Sequence, residues 1–261
     1  MIDIGVNLTN KRFHKDLADV IGNARQAGVS ALIITGTDLA ESSAAIALAE
    51  TAPDFLFATA GIHPHDAKTF DNSSLNALKQ LSLNPQVKAI GECGLDFNRN
   101  YSTPAEQEYA FVQQLELAVE LQLPVFMHER DANARFIELL TPYRAQLPNA
   151  VLHCFTGDKN DLLRGLELDL HIGITGWICD ERRGSELLEL VKLIPDNRLM
   201  IETDAPYLLP RTMRPKPKSS RNEPKYLPYI AQTIASARQQ PVDILINNTQ
   251  KTSRAFFNIE P

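Results

Sequence analysis

Eight short aliphatic runs recur along the chain, and their spacing restricts the fold more than any other feature of the sequence. The runs begin near residues 2, 31, 55, 87, 125, 150, 170 and 199. Consecutive runs start about 20 to 38 residues apart, which leaves room for one strand, one helix and two short loops. Eight β-then-α units in 261 residues favour an α/β fold of the (β/α)8 TIM-barrel type over an open doubly wound sheet. We expect one such domain over residues 1–261.

Two of the segments between the runs carry signals that start helices. Thr103, Pro104 and Glu106 supply an N-cap, a proline at the first helical position and the glutamate of a capping box. Asp38 with Glu41 gives a similar start after the second run. The sequence therefore predicts helices that begin directly after Thr103 and Asp38.

The composition is that of a globular chain with a modest negative charge. Twenty-six Lys and Arg against 32 Asp and Glu give a net charge of −6, so attraction of the whole molecule to nucleic acid or anionic lipid is not expected. No apolar run is long enough to span a membrane, and no glycine-rich nucleotide-binding loop is present. The three cysteines are scattered and odd in number, which indicates reduced thiols and a cytoplasmic protein. Because a barrel buries its core without a partner, we expect a monomer.

Ligand-type side chains stand at the ends of several runs, and four of the six histidines are among them. They are Asn7, His63 and His65, Glu92, His128, His153 and Asp204. A lone histidine at such a place is usually a satisfied core or loop residue. Several ionisable groups gathered at one end of a barrel are costly to bury unless a shared cation compensates them. The pattern therefore favours a divalent-metal site over chance placement.

Six longer motifs in the right order resemble the TatD family of metal-dependent hydrolases. They are AGIHPH (60–65), AIGECGLD (89–96), PVFMH (124–128), LHCFTG (152–157), ETDAPY (202–207) and RNEP (221–224). The likeness runs nearly end to end. It implies an amidohydrolase-like (β/α)8 TIM-type barrel and a divalent-metal-dependent deoxyribonuclease. Similar members are described as 3′→5′ exonucleases that prefer single strands and need Mg²⁺, and the resemblance extends to a role in DNA repair or nucleic-acid turnover.

The opening of the chain departs from the usual family pattern. Most members begin D-x-H-x-H, whose two histidines bind one of two metals. Here residues 3–7 read DIGVN, as in the TatD branch that carries Gly and Asn at those positions. Asn7 could still offer a neutral oxygen from the second layer of the site. The sequence therefore leaves open whether one or two ions bind.

The remaining candidates define the expected metal site. Glu92, His128, His153 and Asp204 are the expected ligands, and their mixture of oxygen and nitrogen suits Mg²⁺ or Mn²⁺ better than Zn²⁺. We expect Mg²⁺ first, with Mn²⁺ and Zn²⁺ as the alternatives. Glu92 and Asp204 are the expected catalytic carboxylates. Asp204 is either the group that takes a proton from the attacking water or a plain ligand. Glu202, two residues earlier on the same face, is expected in the second shell.

Four basic residues are the expected contacts for substrate phosphates: His63, Arg99, Arg211 and Arg221. We expect His65, by contrast, on the surface. Residues 210–224 contain four prolines and five Lys or Arg against one Glu, which indicates a basic loop. Such a loop could steer a phosphodiester locally even on an acidic protein, with bases stacked on Phe155, Trp177 or Tyr207. A merely solvated loop is the alternative.

Three classes of function follow from these features. The first is a phosphodiesterase that acts on single-stranded DNA or RNA. The second is an amidohydrolase-like enzyme that hydrolyses an ester or amide in a small molecule or in aminoacyl-tRNA. The third is a non-catalytic barrel that binds nucleic acid. The basic loop favours the first over a small uncharged substrate, and the retained Glu92, His128, His153 and Asp204 argue against the third.

Overall fold

The strands of the protein coincide with the aliphatic runs of its sequence. The computed structural model describes residues 1–260, and each of the eight strands begins within one residue of a run. The strands are β1 (Ile2–Val6), β2 (Ala31–Ile34), β3 (Leu56–Ala60), β4 (Val87–Asp96), β5 (Val125–Arg130), β6 (Ala150–Leu152), β7 (His171–Ile174) and β8 (Leu199–Ile201). Strand order in the sheet follows chain order, and the pairing is parallel. The predicted β-then-α alternation is confirmed.

Helices follow the strands along the chain. They are α1 (Leu17–Gln26), α2 (Leu39–Ala49), α3 (Asn72–Ser82), α4 (Pro104–Leu121), α5 (Asn133–Arg144), α6 (Lys159–Glu167), α7 (Ser185–Leu190), α8 (Leu227–Ala237) and α9 (Val242–Phe257). Both predicted helix starts are confirmed. Thr103 and Glu106 form the capping box of α4, and the Asp38 side chain accepts the Glu41 N–H at the start of α2.

The described residues form two compact units. The first contains Met1–Ile34, Cys154–Asp158 and the described residues from Ile172 onward. The second contains Thr35–His153 and Lys159–His171.

In the second unit, two buried glutamines of α4 fix the segments that follow β3 and β4. Gln114 exchanges hydrogen bonds of 2.7 and 3.0 Å with the backbone of Ile62. Gln107 binds the backbone of Asp96 in the same way, at 2.8 and 3.1 Å. Each amide side chain satisfies a buried N–H and a buried C=O at once. The residues next to Ile62 and Asp96 are therefore held in fixed positions.

Two glycines let β4 approach β5 closely. Gly91 and Gly94 have φ of +139° and +138°, a region that other residues rarely adopt. A Cβ at Gly94 would lie 1.9 Å from the carbonyl oxygen of His128. The close approach brings β4, which carries Glu92, against the strand that carries His128.

In the first unit, a buried carboxylate ties β1 to the segment after β8. Asp3 accepts hydrogen bonds from the Thr203 N–H at 2.8 Å and the Thr203 hydroxyl at 2.5 Å. The Asn222 side chain donates to the Thr203 carbonyl at 2.9 Å and so attaches the end of the basic loop to the same point. Burial raises the pKa of Asp3 to about 8, against the opposing effect of the hydrogen bonds from Thr203.

Candidate metal centre

Three imidazoles of the second unit converge on one carboxylate oxygen of Glu92. His153 Nε2 lies 2.8 Å from Glu92 Oε1, His63 Nε2 lies 3.2 Å from it and His128 Nδ1 lies 3.3 Å from it. Potential ligand atoms of His63, Glu92 and His128 all lie within 4.8 Å of one another. The predicted proximity of Glu92, His128 and His153 is therefore observed.

The backbone fixes where each of these side chains starts. The Glu92 N–H donates to the Gly36 carbonyl at 2.7 Å, and the His153 N–H donates to the Met127 carbonyl at 2.9 Å. His128 is part of β5 and is paired with Gly94 of β4. The side chains of Glu92, His128 and His153 therefore start from backbone that hydrogen bonds or strand pairing hold in place.

Charge and burial set the protonation of the cluster. Burial acts to raise the pKa of Glu92, but the neighbouring imidazoles of His153, His63 and His128 overcome it, so the pKa lies well below its ordinary value. Burial lowers the pKa of His63. For His128, burial is outweighed by the carboxylates of Asp96 and Glu92, and its pKa is raised. The centre thus combines an ionised carboxylate with a neutral His63.

The tautomer of His63 follows from a single hydrogen bond. The backbone N–H of His65 donates to His63 Nδ1 at 3.1 Å, so Nδ1 carries a lone pair. A neutral imidazole with a lone pair on Nδ1 has its proton on Nε2. The Nε2 atom that faces Glu92 is therefore a hydrogen-bond donor, whereas a metal ligand needs a lone pair there. His63 fits the role of a donor better than the role of a ligand.

A second buried carboxylate, Asp96, faces the outer edge of the cluster. Its Oδ1 accepts the backbone N–H groups of Asn98 at 3.0 Å and Arg99 at 2.9 Å. Its Oδ2 lies 2.7 Å from His65 Nε2 and 3.6 Å from His128 Nε2. His128 Nε2 is buried and has no hydrogen-bond partner among the described residues. A carboxylate on this side keeps a proton on Nε2 of His128. Loss of the other proton, on Nδ1, would leave the lone pair that a metal ligand needs on the side of Glu92.

This donor set fits a divalent cation. One carboxylate oxygen and the imidazoles of His128 and His153 offer mixed oxygen and nitrogen ligands within a small volume.

Three further predicted site residues lie in the first unit. Asp204 follows β8, and its Oδ1 accepts the Asn7 side-chain amide at 2.9 Å. Glu202 is buried and accepts the Cys154 backbone N–H at 2.5 Å. The Asn7 amide nitrogen thus binds Asp204.

The arginines expected at the substrate are engaged differently from the prediction. Arg211 forms a two-bond ion pair with Glu181, at 3.1 and 3.0 Å. Arg221 forms a fork with both oxygens of Asp16, at 2.8 and 2.6 Å, and a third contact with Glu223. Arg99 is exposed. The charges of Arg211 and Arg221 are therefore already partly neutralised by this chain's own carboxylates.

Two residues of the site were missed by sequence reasoning. His65 was expected on the surface, but its side chain is only 31% exposed and binds Asp96. No role was predicted for Asp96, the last residue of the motif AIGECGLD. Its position at the last residue of β4, four residues after Glu92, was the signal available in the sequence.

Comparison with known proteins decides the family. A family model described as "TatD related DNase" matches residues 2–258, nearly the whole chain. The chain belongs to the TatD-related DNase family. A relative from Edwardsiella piscicida named "3'-5' ssDNA/RNA exonuclease TatD" is 56% identical over 99% of this chain and 100% of its own length. A relative of the same name from Dickeya dadantii is 54% identical over 98% of this chain and 97% of its own length.

Solved structures confirm the fold class. A TatD-family hydrolase from Entamoeba histolytica aligns with a TM-score of 0.90 at 27% identity, over 100% of this chain and 98% of that one. An amidohydrolase from Saccharomyces cerevisiae aligns with a TM-score of 0.88 at 25% identity, over 98% and 99%. The predicted amidohydrolase-like (β/α)8 barrel is confirmed. Membership of the TatD family supports a hydrolase of phosphodiester bonds and implies a dependence on divalent metal. Among the described residues, no helix is long and apolar enough to cross a membrane.

Proposed function

We propose that this protein is a divalent-metal-dependent 3′→5′ exonuclease that hydrolyses single-stranded DNA and RNA. The observation that carries the proposal is the convergence of His63, His128 and His153 on one oxygen of Glu92 in a chain of the TatD family. Relatives more than 50% identical over their full length carry the name of such an exonuclease. We further propose a monomeric, single-domain enzyme of the cytoplasm that acts in DNA repair or nucleic-acid turnover. The three free thiols support the location.

We assign the metal to Glu92, His128 and His153, with Asp204 as the fourth ligand or as the base. We propose Mg²⁺, with Mn²⁺ and Zn²⁺ as less suitable ions and with one or two ions bound, because oxygen ligands suit Mg²⁺. When bound, the metal supplies Lewis-acid polarisation of the phosphoryl group and acidifies a water.

The residues around the metal ligands have separate roles in the proposed reaction. The Nε2–H of His63, which faces Glu92 in this structure, donates to a phosphate oxygen when substrate is bound; the tautomer set by the His65 N–H supports this role. Asp204 takes a proton from the attacking water, as its position after the last strand suggests. Asp96 is a positioning residue: its carboxylate is pinned by two backbone N–H groups and faces both His65 and His128. Arg99, on an exposed loop, is a phosphate contact, and Glu202 holds the backbone N–H of Cys154.

The proposal is tested by digestion of end-labelled single strands by purified protein with Mg²⁺ or with EDTA. A label at the 5′ end should yield a ladder of shortened products, whereas a label at the 3′ end should be released as a mononucleotide. A chelator should stop both reactions. As a matched control, Asp131→Asn changes an exposed loop carboxylate that binds Asn98 and should digest the strands like the wild type.

Two results would overturn the proposal. The first is an absence of metal-dependent shortening of any single strand. The second is metal-dependent hydrolysis of an ester or amide without cleavage of nucleic acid, which would favour the amidohydrolase-like alternative.

A further inference from the structure

A small cavity in the first unit lies between the segments that follow β7 and β8. Its volume is about 290 Å³, and its walls include Trp177, Asp180, Arg182, Arg183, Leu208 and Arg211. The two segments touch at Gly176, where a Cβ would lie 2.0 Å from the Leu208 carbonyl oxygen. Only glycine permits this approach. The cavity is therefore a product of defined backbone packing.

A buried carboxylate organises the arginines of this cavity. Asp180 is 3% exposed and accepts a two-bond fork from Arg182, at 3.1 Å for each bond. Arg183 approaches the same carboxylate at 2.9 Å. The side chains of Arg182 and Arg183 nevertheless remain 60% and 52% exposed. Their guanidinium groups are thus held in place at one end and open to solvent at the other.

The charges of this cavity do not cancel. Arg182, Arg183 and Arg211 contribute three positive charges, and Asp180 and Glu181, which bind them, contribute two negative ones. One positive charge remains. A guanidinium has five N–H donors, and the carboxylates use only some of them. The remaining donors are suited to an oxyanion such as a phosphodiester.

An aromatic ring stands beside these donors. The guanidinium carbon of Arg183 lies 4.1 Å from the centre of the Trp177 ring, the distance of a stacked cation–π pair. Flat rings and guanidinium planes are the surfaces on which proteins stack the bases of single strands. The two kinds of surface that a nucleotide needs, a stacking plane and phosphate donors, therefore occur in one cavity.

We propose that this cavity binds one nucleotide of a single strand, with its base against Trp177 and its phosphate on Arg182 and Arg183. The inference rests on the proposed function. It locates a nucleotide of the substrate that lies away from the cleaved bond. The volume is close to the lower limit of the range of about 300–1,000 Å³ for small-molecule pockets, which suits a single nucleotide unit. Stacking requires an exposed base face and no base-specific contact, so the cavity accepts any base of a single strand and excludes a duplex.

Tryptophan fluorescence can report on this cavity, because Trp177 is the one tryptophan of the chain. Full-length protein in EDTA, which prevents cleavage, is titrated with oligothymidylate of about ten nucleotides, within the usual range of single-strand sites. Trp emission is followed together with the anisotropy of a fluorescein-labelled copy of the same strand. We expect saturable quenching with the same midpoint as the anisotropy change. A duplex of the same length and free thymidine monophosphate should quench only at much higher concentration.

Two variants distinguish a loss of base stacking from a loss of folding. Arg183→Lys keeps a cation for Asp180 but removes the planar group, and Trp177→Leu removes the ring; each should weaken binding of the strand by about tenfold. Trp177→Leu is followed by anisotropy alone. The matched control is Arg164→Ala, an exposed arginine of α6 that pairs with Asp161 and should leave binding unchanged. Circular dichroism confirms that each variant is folded.

Strand binding by anisotropy without a change in Trp emission would overturn the proposal, as would a failure to bind in EDTA at low salt. Equal midpoints for the single strand, the duplex and thymidine monophosphate would overturn it too. Digestion with Mg²⁺ is measured separately. Normal digestion with unaltered emission rejects this subsite alone, whereas quenching without digestion rejects the nuclease function and keeps the binding site.

Discussion

The backbone N–H of His65 donates a hydrogen bond of 3.1 Å to Nδ1 of His63. Because that bond places the imidazole proton on Nε2, His63 faces the centre as a donor. Its closeness to Glu92 therefore reflects a hydrogen bond of 3.2 Å and not a ligand position.

This relationship predicts the behaviour of two variants at position 63. His63→Ala should lower kcat roughly 10- to 100-fold, because a hydrogen bond to a charged group contributes about 1.5–3 kcal/mol. His63→Gln, which keeps a side-chain N–H donor, should lose less. Calorimetric titration with Mn²⁺ should give the same affinity for both variants and the wild type. A loss of Mn²⁺ affinity in His63→Ala well above about 100-fold, the upper end for residues behind a ligand, would identify His63 as a ligand.

Asp96→Asn tests the positioning of His128. The amide keeps the size of the carboxylate but removes the charge that favours a proton on His128 Nε2. We expect the affinity for Mn²⁺ in the absence of nucleic acid to fall about 10- to 100-fold, as for other carboxylates behind metal-binding histidines. KM should change little. The control is Asp131→Asn, and an Asp96→Asn protein with lower thermal stability but unaltered Mn²⁺ affinity would reduce Asp96 to a structural residue.

Asp3 predicts a specific dependence of stability on pH. Its pKa is raised by burial to about 8 in the folded protein, above the ordinary value near 3.8. Its contribution to stability is therefore complete below about pH 4 and is lost as the pH rises towards 8. Asp3→Asn mimics the protonated carboxyl, so its stability relative to the wild type should increase between about pH 5 and pH 9. Urea unfolding at both pH values measures this difference, and a difference that is independent of pH would contradict it.

The basic loop separates into two groups of cations. Arg214, Lys216 and Lys218 have no carboxylate partner among the described ion pairs, whereas Arg221 is paired with Asp16. Neutralising the first three together should reduce the slope of log K against log salt for single strands by up to about 2, at roughly 0.7 per phosphate contact. Binding titrations in EDTA at several salt concentrations give the slope.

Arg221→Gln should instead affect the stability of the fold. Loss of its fork to Asp16 should lower the free energy of unfolding by roughly 1 kcal/mol, with an unchanged salt slope. An unaltered slope in the triple variant would show that the loop is only a solvated surface, which is the alternative that the composition leaves open.

The architecture could be predicted from the sequence because the aliphatic runs recur at similar spacing along the whole chain. The eight runs, the capping box at Thr103 and the N-cap at Asp38 are local signals, and each appears in the structure within a residue. The convergence of Glu92, His128 and His153 follows from the same regularity, since parallel strands place their carboxyl ends on one side.

Contacts set by loops could not be predicted in this way. Arg221 and Asp16 are 205 residues apart, and the pairing of Arg211 with Glu181 depends on how two irregular segments lie against each other. In the charge count from composition, these arginines appear as free charges. The turn that brings His65 to Asp96 depends on Gln107 and Gln114. The helical period places both on the buried face of α4 with Phe111, but it does not indicate which backbone groups they bind.

The central claim is that a divalent cation binds among Glu92, His128 and His153. Anomalous diffraction from crystals soaked in Mn²⁺ tests it directly. The account predicts an anomalous peak at bonding distance from the Glu92 carboxylate, His128 Nδ1 and His153 Nε2, and no such peak in Glu92→Ala crystals. A fully soaked wild-type crystal without a peak among these three side chains would contradict it.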